Sequence, residues 1–583
     1  MRFSDQGNGK FKNPILFADY SDPDVIRVGD TYYLTASSFN YTPGLPILTS
    51  RDLVNWKLAS YALTNIRENR FDIPRHSEGV WAPSIRYHKG IFYIFYGMPD
   101  EGYYVVKTKD PLGKWDEPVC ILEGKGFIDP CPFWDEDGRA YVIHGYAKSR
   151  IGFKSILGIF EINPDNLTVL TVDHFIFNGN DPKHPAVTIE GPKVYKRDGF
   201  YYILAPAGGV KDGYQVALRS KDIHGPYEIK KIMDTGNTVI NGPHQGGLVD
   251  TQNGDEWFIH FQDRGLYGRI CHLQPVRWKD GWPVIGVNSS DEGWGEPVFE
   301  MEKPNTGFQE EEITCLEATD YFKHGKYGLM WQWLGNHKES FCSKIPGNNK
   351  KDGTGAGDFE KLGKERDGLR LFALNPSGEE KPVIWRSANV LTQKIIYPIF
   401  ETEIRMNVSG LKAMERAGIC MTGGQYVTAY IERQEDDSFV LKVAESAGND
   451  TNKTENILSS CNIKDIICDK NEETDKKHNE SDPCPDFDIT WKLEFSLANI
   501  EDSTELYFQN VHKPLTGKEP SLKIYISFGE ESEEKRKWHD LGISYTPSDH
   551  TWVGAKLGIY CLGSKTCSDP GYSDFYYVKT KEL

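Results

Sequence analysis

The chain has 583 residues, too many for a single hydrophobic core, so at least two domains are expected. Its net charge of −18 leaves no basic face for nucleic acid or an anionic membrane, while a neutral ligand such as a sugar is not repelled. Hydrophobic residues make up 38% and aromatics 13%, with no apolar run near the ~18 residues of a membrane-spanning helix.

Taken in chain order, the first 290 residues repeat one pattern five times. The units are "SDPDVIRVGDTYYLTAS" from Ser21, "WAPSIRYHKGIFYIFYG" from Trp81, "IDPCPFWDEDGRAYVIHG" from Ile128, "EGPKVYKRDGFYYILAP" from Glu190 and "NGPHQGGLVDTQNGDEWFIHF" from Asn241. Each has a proline near its start, a short strand, a tight turn, and a strand of aromatic and branched residues. The prolines, Pro23, Pro83, Pro130, Pro192 and Pro243, lie 47 to 62 residues apart, and most units add an outer strand pair such as "PILTSRDLVNWKL". A four-stranded unit at that period is the pattern of a propeller blade, which predicts an all-β, five-bladed N-terminal β-propeller.

This topology changes the meaning of one residue. Glu190 alone reads as a solvated charge at a strand end. In a propeller, however, the starts of the inner strands converge on one axis. The positions around the prolines then bring Asp22 (with Asp24), Trp81, Asp129, Glu190 and His244 into a single funnel. Paired carboxylates in a cup suit glycoside hydrolysis: one protonates the leaving oxygen and the other activates water. A wide cup favours the separation of roughly 6.5–9.5 Å that admits water and inverts the anomeric centre. A third carboxylate raises the acid's pKa by like-charge repulsion. Trp81 and Phe39 could stack on a sugar face, and Arg269 could bind hydroxyls or orient a carboxylate.

On these motifs the first half resembles glycoside hydrolase family 43. "NPILFADYSDPDVIRVGDTYYLTASSF" resembles the family's opening, which implies Asp22 as general base. "FIDPCPFWDEDGRAYV" implies Asp129 as the pKa-modulating, orienting Asp, and "TIEGPKVYKRDGFYYI" implies Glu190 as general acid. "GPHQGG" places the axial His at His244, and "YGRICHLQPVRW" places the channel Arg at Arg269. The resemblance implies no required cofactor. It leaves His244 two readings, a neighbour of an axial calcium ion or a purely structural histidine, since no oxygen-ligand loop is visible.

Beyond "GEPVFEMEKP" the repeat stops, giving a propeller over 1–305 and a second domain over 318–583. Alternating strands follow at "LRLFAL", "FETEIRMNV", "AGICMTG", "YVTAYIERQ", "SFVLKVAES", "WKLEFSL", "ELYFQNV", "LKIYISF" and "KLGIYCLG", as in a β-sandwich. With "WQW" and the closing "DPGYSDFYYVK", the layout resembles the concanavalin-like sandwich of the family's xylosidase branches. Residues 446–487 read as a polar insertion forming a loop. The resemblance implies a sandwich packed on the propeller to wall off the pocket, against the competing reading of an independent carbohydrate-binding module. Trp552 has two readings, sandwich core or pocket rim.

The expected function is an inverting exo-hydrolase that releases terminal xylose from β-1,4-xylo-oligosaccharides. The alternatives are an α-L-arabinofuranosidase, or both activities on arabinose-decorated hemicellulose, and a non-catalytic sugar-binding propeller. No nucleic-acid or membrane partner is expected, and the oligomeric state is left open. The 11 cysteines include Cys461, Cys468 and Cys484 in the insertion and Cys561 and Cys567 near the end. Disulfides there, and sequons at Asn166, Asn288, Asn407, Asn449, Asn452 and Asn479, would suit secretion, with no signal peptide ahead of the first repeat; a cytoplasmic location is the alternative.

Overall fold

A computed structural model describes residues 3–288, 290–308, 312–346, 367–448, 454–468, 487–497, 520–529, 536–564 and 569–583. The five repeats are five antiparallel four-stranded sheets, each laid out in chain order from the axis outward. Their inner strands are Asp24–Val28, Trp81–His88, Phe127–Trp134, Lys193–Arg197 and His244–Asp250. The aromatic runs are dense because both faces of every blade are covered. In the second blade Phe92 and Ile94 pack against the first blade, while Tyr93 and Phe95 pack against the third. In the fourth, Ile203 faces the third blade, and Tyr202 and Leu204 face the fifth. Strand alternation thus deals successive side chains into the two flanking interblade layers.

Side chains and a terminal ribbon close the ring. Arg27 of the first blade pairs with the Asp250 carboxylate of the fifth, and its Nε donates to the Asp250 carbonyl at 3.1 Å. Lys10–Lys12 pairs with Glu300–Glu302 outside the blades, and Leu16 exchanges backbone bonds with Cys271.

The second half holds two seven-stranded sheets sharing one core, with Ile419, Val427, Leu441 and Ile559 from one and Ile404, Met406, Trp491 and Ile524 from the other. Within the stretch expected to form a loop over 446–487, Glu455–Asn462 is the edge strand of the first sheet and Ile463–Cys468 a short helix. Composition hid this strand because its side chains are mostly exposed. Its anchor is Glu455, which pairs with buried Arg416 at 2.6 Å and accepts the Tyr426 hydroxyl at 2.8 Å. The predicted strand at 505–511, the sequons at Asn449, Asn452 and Asn479, and Cys484 and Cys567 lie outside the described residues. The eight described cysteines whose side chains are placed, Cys461 and Cys561 included, are free thiols.

The domains join along an extensive seam. Thr42 and Trp333 exchange backbone bonds at 3.0 and 2.6 Å, and Asn40 Nδ2 donates to the Leu334 carbonyl at 2.8 Å. Asn336 forms a reciprocal pair with Ile66, accepting its N–H at 2.9 Å and donating to its carbonyl at 3.0 Å. This contact is buried, so Asn336→Ala leaves a propeller N–H and carbonyl unpaired. It should cost about 1–3 kcal/mol, read by calorimetry as a lower unfolding midpoint for the intact chain.

Candidate active site

One backbone device recurs where the inner strands begin. The residue before the blade proline is left-handed in four of the five blades: Asp22 (φ 55°), Asp129 (φ 58°), Gly191 (φ 56°) and Gly242 (φ 51°). For an aspartate that conformation costs about 1–2 kcal/mol, and here it turns the carboxylate inward at the strand's mouth. These four positions correspond, and Glu190 stands one residue earlier. The sequence reading treated the proline-flanking residues as equivalent; they are offset. The offset leaves the Glu190 side chain 33% exposed, against 7% for Asp22.

Asp22 is held from three sides. Its Oδ2 accepts Ser37 Oγ at 2.6 Å and Ser21 Oγ at 2.8 Å, and its Oδ1 accepts Arg269 Nη1 at 3.1 Å. Arg269 Nη1 also donates to Ser21 Oγ at 2.7 Å, and its guanidinium lies over the Phe261 ring. The first hairpin pairs Asp24 with Thr35, so continuing its register sets Ser37 opposite Asp22. That signal was present in the sequence and was missed.

Asp129 is buried and accepts the Gly191 N–H at 2.8 Å and Gln245 Nε2 at 3.4 Å, both on Oδ2. Burial, then the neighbouring Asp22 charge, pushes it up to about 7 against these bonds and the buried cation Lys193. Glu190 is pushed up to about 8, by desolvation first and then by Asp129 and Asp22, with Arg269 and Lys154 pulling the other way. The cup therefore keeps a proton near neutrality. We place it on Glu190, because among the described residues Asp129 has two N–H donors to stabilise its anion and Glu190 has none.

His244 Nε2 stands 3.5 Å from Glu190 Oε1 without a hydrogen bond. Burial, then Arg269 and His260, holds its pKa well below the usual value, so it is neutral. Among the described residues no group of three or more acidic, His or Cys side chains could hold a metal ion.

Phe39 and Trp81 meet in one apolar cluster, joined by backbone bonds between Phe39 and Val80. Trp552 reaches this cluster from the second domain, its ring 4.6 Å from Trp81 in edge contact. Its loop is fastened by Ser77 Oγ, which meets His550 Nδ1 at 2.6 Å and the Thr551 carbonyl at 2.7 Å. The rim reading of Trp552 fits this position. Asp24, grouped with the cup from sequence, lies elsewhere: its carboxylate accepts Ile85 N–H and Arg86 Nη1 and bolts the first two blades together. A cavity of about 570 Å³ opens at the opposite mouth between Arg27, Arg86, Trp134, Lys196 and Trp278. Its cations are already paired, Arg86 with Asp24 and Lys196 with Asp135.

Comparison with known proteins bears on this geometry. The model for glycosyl hydrolases family 43 matches residues 11–283. A protein of Xylanibacter ruminicola is 41% identical over 414 residues, 70% of each chain. A β-xylosidase of Formosa agariphila is 32% identical over 494 residues, covering 77% of this chain and 79% of its own. The chain belongs to glycosyl hydrolase family 43. It is a glycoside hydrolase. A solved xylan β-1,4-xylosidase from Bacillus halodurans superposes with a TM-score of 0.74 over 98% of this chain and all of its own; at 21% identity this speaks to the fold.

Gly191 follows Glu190 and bonds Asp129 through its N–H. A Cβ there would stand 2.6 Å from Gln245 Cγ and Cδ, at a left-handed φ. Gly191→Ala should cost about 1–3 kcal/mol of stability and lower kcat by displacing Gln245 from Asp129. Thermal unfolding and steady-state kinetics on the same preparation check both effects.

Proposed function

We propose that this hydrolase is an inverting, exo-acting β-xylosidase working on xylo-oligosaccharides. The observation that carries the reading is the asymmetry of the three carboxylates. Asp22 is buried, held by Arg269 and two serines, and placed to take a proton from water. Glu190 is the most exposed of the three and retains its proton, which suits it to protonate the leaving oxygen. Asp129 lies beside Glu190, raises its pKa and fixes Gly191. The Trp81–Trp552 contact supports the exo reading, since a wall contributed by the second domain limits the cup to the end of a chain. We read that domain, over 318–583, as a concanavalin-like sandwich packed on a propeller of residues 1–305. The β-xylosidase name of one relative supports the sugar assignment, with α-L-arabinofuranosides as the competing substrate.

Parallel assays with nitrophenyl β-xyloside and α-L-arabinofuranoside test the substrate. The xyloside should have the higher kcat/KM, and a reversal would assign the enzyme to arabinose. Proton NMR of the first-formed sugar should show the inverted anomer; retention would make a carboxylate the nucleophile and remove Asp22 as base.

The pH dependence follows from Glu190. Its active form is protonated and its pKa is raised to about 8, so kcat/KM should hold through neutrality and fall as pH rises past that value. Glu190→Ala should remove this limb. Its loss should be about 10²–10⁴-fold on unactivated xylosides and small on substrates with strongly acidic leaving groups, which need little protonation. Equal losses on both kinds of substrate would contradict the assignment.

A further inference from the structure

Beneath the carboxylate cup, three chain segments meet at distances only glycine allows. A Cβ on Gly268 would stand 2.4 Å from Asp19 Cγ, and one on Gly554 would stand 2.5 Å from the Gly268 nitrogen. Asp19 is the centre of this contact between the domains. Its Oδ1 accepts the Arg269 backbone N–H at 3.0 Å, and its Oδ2 accepts the Gly554 N–H at 3.1 Å. Lys556 Nζ lies 3.7 Å from Oδ2, and Lys394 Nζ donates to the Asp19 carbonyl at 2.6 Å. The lysines also cap aromatic faces, Lys394 over Tyr20 at 3.8 Å and Lys556 over Tyr41 at 4.3 Å. Asp19 and both lysines are buried.

Two buried lysines at one aspartate, Lys556 facing its carboxylate and Lys394 its backbone carbonyl, are a costly way to join domains. Burial first, and the charge of Lys556 second, draws Lys394 down to about 7. An apolar seam would hold as well or better. What distinguishes this one is the next residue along each path. Asp19 fixes the backbone of Arg269, Tyr20 N–H bonds the Arg269 carbonyl at 2.9 Å, and the Arg269 guanidinium then grips Asp22 and Ser21. Asp19 and Asp22 lie three residues apart on the same stretch, so Arg269 is clamped at both ends.

We propose that Lys394 and Lys556 are positioning residues for hydrolysis: from the second domain they fix Asp19, Asp19 fixes Arg269, and Arg269 orients the carboxylate of Asp22. The inference rests on the reading of Asp22 as general base. It gives the second domain a role in the chemistry besides walling the pocket.

The test uses Lys394→Met, Lys556→Met and Asp19→Asn in the full chain, beside Asp22→Asn. Each seam variant should lower kcat about 10- to 100-fold, the scale of a reactive group misplaced by about 1 Å, with KM changed less than about twofold. The double variant Asp19→Asn/Lys394→Met should lose no more than the worse single, because both act through one path. The melting temperature separates this from a structural role. The folded pKa of Lys394 lies below the unfolded value, so stability rises with pH between about 7 and 10.5 and the burial penalty is fully present below that window. Lys394→Met at neutral pH should therefore melt no lower than the parent. Unchanged kcat in the seam variants, a rise in KM alone, or kcat and melting temperature falling together would each overturn the proposal. Asp19→Asn is nearly isosteric and serves if a methionine variant fails to fold. Turnover by Asp22→Asn would refute the base reading itself. An inactive Asp22→Asn beside fully active seam variants would refute only the positioning role.

Discussion

Everything at this site depends on a backbone conformation that aspartate adopts at a cost. Asp22 and Asp129 sit before a proline with positive φ, and that pairing aims their carboxylates at the propeller axis. Pre-proline geometry alone disfavours the right-handed helical region; the inner strand begins just after Asp22 and Pro23, and it shifts register across Asp129 and Pro130. The strain holds because the surroundings fix both residues: two serines and Arg269 around Asp22, Gly191 and Gln245 around Asp129. Three carboxylates in one buried cup cannot all ionise near neutrality, so their hydrogen-bond partners decide which of them keeps the proton.

Much of this was legible in the sequence because a propeller writes its topology as a repeat. The five prolines gave the blades, and the acids beside them gave Asp22, Asp129 and Glu190. The finer geometry was not legible. Nothing in the repeat distinguishes a residue at the pre-proline position from one a step earlier, yet that step decides which carboxylate reaches the mouth. Asp24 looked equivalent to Asp22 by proximity, but it lies past the left-handed turn at Asp22, at the start of the inner strand, and its carboxylate bonds Ile85 and Arg86 of the second blade. Ser37 was recoverable from hairpin register, whereas Gln245, Lys193 and the Trp552 rim depend on contacts between distant segments.

The second domain was harder to read, for a physical reason. Its strands alternate clearly where one face is buried, as in Phe400–Asn407, and are silent where both faces meet water, as in Glu455–Asn462. Its seam with the propeller leaves little periodic signal, since its polar contacts come from single residues such as Asn336, Lys394 and His550 reaching across. Apolar clusters cross between the domains, and the buried polar side chains set among them make the pairing specific in register as well as tight. One contact carries the second domain to Arg269, and another carries it to Trp81.

The central claim is that at neutral pH the cup holds its one proton on Glu190. Infrared difference spectroscopy of the free enzyme reads this directly through the carbonyl stretch of a protonated carboxylic acid. The account predicts a band at neutral pH that disappears as pH rises past about 8, is absent in Glu190→Gln, and disappears at a lower pH in Asp129→Asn, where the neighbouring charge that raises Glu190 is gone. A band that persists unchanged in Glu190→Gln would contradict it.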